Sequence, residues 1–167
     1  MANKFKDLSN CNAGTEWIGD RDWKDTKELW KTIHRGDWML VIFKRMNPDD
    51  LKELTLAKAH CANLVRHLMI DKRSLNAVDT AIAFGNGTAT REELDEAAKQ
   101  AGLANAAAAS VSTESAHAAD AAYYAASANS APDAVVVSLG TKNFKKAADI
   151  CRLYLPYEIW NHPQDAK

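Results

Sequence analysis

The 167-residue chain has no unbroken apolar stretch of the roughly 20 residues that a membrane helix needs, and its first residues, from Met1 to Leu8, lack the pattern of a secretory signal. A cytoplasmic protein is the expectation, in a bacterial cell and possibly phage-encoded. Its three cysteines, Cys11, Cys61 and Cys151, are odd in number and far apart, which excludes a disulfide framework and any CxxC metal or redox motif. Reduced, buried or half-buried thiols are expected. A strong basic excess is also missing: the net charge is -1 and the isoelectric point about 6.5, which argues against general nucleic-acid binding. HExxH, GxSxG and GxxxxGK[ST] are all lacking. No catalytic residue, metal site or cofactor is therefore expected.

What is present favours one folded unit. With 47% hydrophobic and 26% charged residues, a chain of this length can bury a sizeable interior. Charge is unevenly placed. Residues 1–75 hold 14 Lys/Arg against 11 Asp/Glu, residues 76–140 hold 2 against 8, and residues 141–167 hold 5 against 3. The ends are mildly basic and the middle is acidic. Turn formers without a sustained period mark residues 1–24 as an irregular arm, pinned by Trp17 and Trp23. Residues 25–160 read as a single helical domain and 161–167 as a tail.

Within that domain, Leu29, Trp30 and Ile33 recur at helical spacing up to Gly36, and Asp37 is placed to cap the next helix. That helix, Trp38 to Met46, is apolar almost all round, the pattern of a buried central element, with a strand as its competitor. Asn47-Pro48-Asp49-Asp50 signals a helix start, and the apolar face through Leu54, Ala57, Cys61, Leu64, Val65 and Leu68 predicts one long helix to Met69. Ser74 can cap a helix ending at Gly85, and Thr90 with Glu93 forms a capping box. Residues 97–134 then contain 18 alanines in 38 positions. Alanine favours helix but gains little on burial, so this long helix, breaking once and ending at Pro132, is expected to need close neighbours or a second copy. Self-association follows as an expectation. A last helix runs from Thr141 to Leu155. The sum is an all-α single-domain bundle of six or seven helices with a long Ala-rich helix.

The candidate ligand-binding residues are cations near aromatics: Arg35 beside Trp38, Lys44 and Arg45 at the end of the buried helix, Arg66, and the pair Tyr123 and Tyr124 set among alanines. Arginine can pair with phosphate and the aromatic rings can stack on a base, which together suit a nucleotide in a basic pocket. On that reading, losing Arg35 weakens binding but changes stability much less. Gly140, Thr141, Lys142 and Asn143 could offer free amides to an anion, although a linker and cap explains them as well. His60 and His67 share a face but stand roughly 10 Å apart, too far to ligate one metal ion directly. Asp49-Asp50 and Glu92-Glu93 sit where first-turn acids help a helix begin.

The order of motifs resembles a known family. Residues 34–39 (HRGDWM), 56–65 (LAKAHCANLV), 77–85 (AVDTAIAFG) with 89–94 (ATREEL), the alanine tract, and 148–152 (ADICR) before Pro156 are similar to the bacterial immunity-protein family associated with polymorphic toxin systems and also carried by phages. The resemblance spans roughly residues 25–156. It implies an all-helical, non-catalytic protein that neutralises something, and it supplies no binding residues. Two partners fit: a cognate toxin, blocked by surface complementarity, or a small nucleotide signal, sequestered by a phage-type sponge acting against host defence.

Overall fold

The computed structural model describes residues 26–160, so the proposed arm with Trp17 and Trp23, Cys11, and the tail lie outside the described residues. These residues form α1 (Thr26–Thr32), α2 (Gly36–Met46), α3 (Leu51–Ala62), a 3-10 turn (Asn63–Leu68), α4 (Lys72–Gly85), α5 (Arg91–Ala108), α6 (Thr113–Ala126), α7 (Ala134–Ser138), a second 3-10 turn (Thr141–Asn143), α8 (Phe144–Tyr154) and α9 (Tyr157–Trp160). The architecture is all-α, with no strand among the described residues. Seven of the helices have seven residues or more, in line with the six or seven expected.

The central element is α2. Trp38, Met39, Leu40, Ile42 and Phe43 are all buried, so the almost uniformly apolar run is a helix wrapped by others rather than a strand. Its start presses on α8 without a side chain between: a Cβ on Gly36 would come within 2.5 Å of Ala147 Cβ. Only glycine permits that approach. Asp37, expected from the sequence to cap α2, does not do so; it lies inside the first turn, and its carboxylate is held by Arg35, the residue at the N-cap position. Likewise Asp71, not Ser74, caps α4, accepting the Arg73 amide at 2.8 Å while Ser74 is buried in the first turn.

The long helix expected to reach Met69 instead ends at Ala62. A tighter turn follows, interrupted at Val65, which has φ -117° and ψ 15°. Tertiary contacts account for the break, because Val65 enters the core while Arg66 reaches Asp79 on α4. Further on, the capping box at α5 forms in both directions: Thr90 Oγ1 accepts the Glu93 amide at 3.2 Å, and the Glu93 carboxylate accepts the Thr90 amide at 2.7 Å.

The alanine tract breaks once, as expected, between Ala108 and Thr113, and Ser112 caps the second half by accepting the Ser115 amide. Asn105 donates to the Asp120 carboxylate, and Gly102 faces Tyr123, so α5 and α6 run antiparallel. The tract ends at Ala126, before Pro132, because Ser127 takes an extended conformation. Most of the alanines of α5 and α6 are covered within one chain. Ala118, Ala121, Ala122 and Ala125 join the main core with residues of α1, α2, α3, α7 and α8, while Ala97, Ala98, Ala101 and Ala126 form a second cluster with Ala59, Ala77, Ala81, Phe84 and Leu94. These buried alanines therefore have intrachain partners and need no second copy to cover them, while Leu103 and Val111 of the same tract are exposed. Residues 135–137, a β-branched run, belong to the short helix α7, with Val135 and Val136 buried.

Candidate functional site

The sequence-derived candidates are not brought together into one basic pocket. Arg35 and the Lys44–Arg45 pair stand at opposite ends of α2, nine or more residues apart, or roughly 14 Å along the axis. The Arg35 guanidinium is held in three directions. It donates to both Asp37 carboxylate oxygens, at 3.1 and 2.5 Å, and lies between the Trp38 ring (4.5 Å to the centroid) and the Phe144 ring (4.2 Å). Trp38 is itself buried. This cluster joins α2 to α8.

Lys44 donates to the Pro48 carbonyl at 2.5 Å, which places its ammonium over the turn that leads into α3. Arg45 is exposed on the last turn of α2. Arg66 makes a bidentate pair with Asp79, at 2.7 and 2.8 Å, and that hydrogen bonding raises the Arg66 pKa further above its ordinary range. Tyr123 and Tyr124 are half-buried and meet edge to face with ring centroids 5.1 Å apart. Tyr123 packs on the second core cluster and Tyr124 on the first, so the pair ties the two together. Gly140 takes a positive φ of 76° before the 3-10 turn, and Asn143 turns its amide back to the Leu139 carbonyl at 2.8 Å, the behaviour of a linker and cap.

Two features lie outside the candidate set. The first is Lys58, only 2% exposed, whose amine reaches from α3 to the end of α6 and donates to the Ser127 carbonyl at 2.8 Å and the Ser130 hydroxyl at 3.4 Å. Burial, reinforced by the Lys44 charge, lowers its pKa to about 7. Flanked by Ala57 and Ala59 on a helix, it carries no local sign of burial beyond those two small neighbours.

The second is an open groove of about 530 Å³ between α4 and α5, lined by Asp79, Thr80, Glu93, Glu96 and Gln100 among others. It sits in the acidic middle of the chain. Asp79 and Glu96 are each 58% exposed. Glu96 accepts from Gln100 at 2.8 Å, and this bond, with Lys99 3.6 Å away, lowers its pKa. Arg66 stands at the rim through Asp79, and Arg91 is paired with Asp95 at 2.9 Å on the same helix as Glu96. The acidic character was visible in the charge count, but the pairing of two helix faces into a groove requires the tertiary fold.

Among the described residues no group of three or more His, Cys, Asp or Glu is placed to hold a metal ion, and no helix is long and apolar enough to cross a membrane. Comparison with protein-family models, curated proteins and solved structures finds no match for this chain.

Proposed function

We propose that this chain is a non-catalytic neutralising protein of immunity type, which binds a toxin and blocks it through the acidic groove between α4 and α5. The observation that carries the reading is an open concave surface lined by Asp79, Glu93 and Glu96, with Arg66 at its rim as the partner of Asp79 and Lys99 beside Glu96, whereas Arg35 is bidentate to Asp37 and closed between two rings. A toxin that acts on nucleic acid must present a basic surface to hold phosphates. Carboxylates in a groove complement such a surface and speed the encounter. The motif order that resembles immunity proteins points the same way.

The sponge reading is weaker on physical grounds. A nucleotide phosphate at Arg35 would have to displace Asp37 and enter between the Trp38 and Phe144 rings, forfeiting a charge-assisted bond already made.

The test is calorimetric binding of candidate nucleic-acid-cleaving toxins, taken from the products of the genes that flank this one, together with a panel of cyclic dinucleotides and ADP-ribose-derived signals. Nanomolar capture of the toxin by wild type, weakened about 10- to 100-fold in Asp79→Lys and Glu96→Lys at low salt, is the expected result. The nucleotides should come back unbound and unchanged in mass. Tight binding of a signal without capture of the toxin would replace this reading with the sponge.

A further inference from the structure

Two thiols meet where α2, α3 and α8 converge. Cys61, on α3, has its Sγ 3.9 Å from the Ala147 carbonyl of α8, and Cys151, one turn further along α8, has its Sγ 3.7 Å from the Gly36 carbonyl at the start of α2. Both are free thiols and fully buried. A hydrogen bond with Cys61, together with burial, pushes the Cys151 thiol well above its ordinary pKa, so the resting state is the neutral thiol. The close approach of Gly36 to Ala147 leaves the α2 and α8 backbones little slack around the pair.

We propose that Cys61 and Cys151 form a closable dithiol, an oxidation-dependent clamp that joins α3 covalently to α8. It rests on none of the functional reading above. The oxidant is a peroxide. One thiol takes an oxygen atom to become a sulfenic acid and a first water leaves; the second sulfur then attacks it, the S–S bond forms, and its proton departs with the hydroxyl as a second water. Because both sulfurs are buried, oxidant enters only when α8 opens locally, and the reaction is slow next to that of an exposed thiol.

The bond closes a loop from residue 61 to residue 151, long enough to restrict the unfolded chain strongly. Full-length protein is treated with a small excess of hydrogen peroxide, denatured, alkylated and digested. The expected product is a linked Cys61–Cys151 peptide, about 2 Da lighter than the two free peptides, with a melting temperature about 5 to 15 °C higher that returns to its starting value under reductant. Cys11→Ser gives the same product, which shows that the third cysteine is not an obligatory relay. Recovery of Cys61 and Cys151 as free or separately oxidised thiols overturns the proposal, as does a linked product whose melting temperature is unchanged or lower.

Discussion

The Lys58 amine donates to the Ser127 carbonyl across 69 residues of chain, and the Ser130 hydroxyl donates to that same oxygen at 2.8 Å. The contact closes the C-terminal end of α6 from the side, where a cation is favourable, yet it does so inside the protein, where a cation is costly.

Stability should accordingly rise with pH above neutrality. The unfolded ammonium keeps its proton to about 10.4, whereas the folded amine releases it near 7. Between those values the unfolded chain binds more protons, so each pH unit adds at most about 1.4 kcal/mol. Denaturant melts at pH 7, 7.5 and 8 check this, above the titration of His60, whose pKa burial lowers, and largely below the range in which the Cys151 thiol, kept neutral by the fold, ionises in the unfolded chain. Lys58→Met should flatten the profile without unfolding the protein, because Ser130 still satisfies Ser127. A slope that persists in that variant assigns the effect elsewhere.

Arg35→Ala should destabilise the fold by about 2 kcal/mol or more, since it strands the buried Asp37 carboxylate and empties the gap between Trp38 and Phe144. This reverses the sequence-based expectation that Arg35 matters for binding and little for stability. Urea unfolding of Arg35→Ala beside Arg35→Lys measures it, and Lys should recover only part of the loss because it lacks the planar fork.

Gly36→Ala and Gly140→Ala separate two uses of glycine. The first drives a methyl into Ala147 and should cost about 3 kcal/mol by overpacking. The second meets nothing within 4 Å, but its φ of 76° with ψ of 161° is a backbone region open essentially to glycine alone, and an L side chain there costs about 2 kcal/mol. Equal losses in thermal melts would contradict this distinction.

Ala121→Leu should lower stability by about 1 to 3 kcal/mol at every protein concentration, because Ala121 is fully buried inside its own chain. A change confined to a concentration-dependent association equilibrium would point instead to the second copy inferred from composition.

Helix existence was legible where the signals are local. The apolar α2 run, the Thr90–Glu93 capping box and the weak Ser110 to Thr113 stretch all mark real features. Boundaries set by distant partners were not. α3 ends early because Val65 and Arg66 have business with the core and with α4, and α6 ends at Ala126, where Lys58 and Ser130 meet the Ser127 carbonyl. For the same reason the surroundings of the cationic candidates were not legible in the sequence. Their types fit phosphate, but carboxylates two and thirteen positions away take up Arg35 and Arg66, and only the fold reveals the second of these.

The alanine-lined half of the interior also constrains how this protein can vary. Where a core is built of leucine or phenylalanine, substitutions can shrink a side chain and leave a survivable hole. At Ala101, Ala122 and Ala126, all fully buried, the only smaller residue is glycine, which loosens the helix itself. Drift at these positions is therefore hemmed in from both sides, and sequence change in this half of the molecule is channelled to the outward faces of α4 and α5.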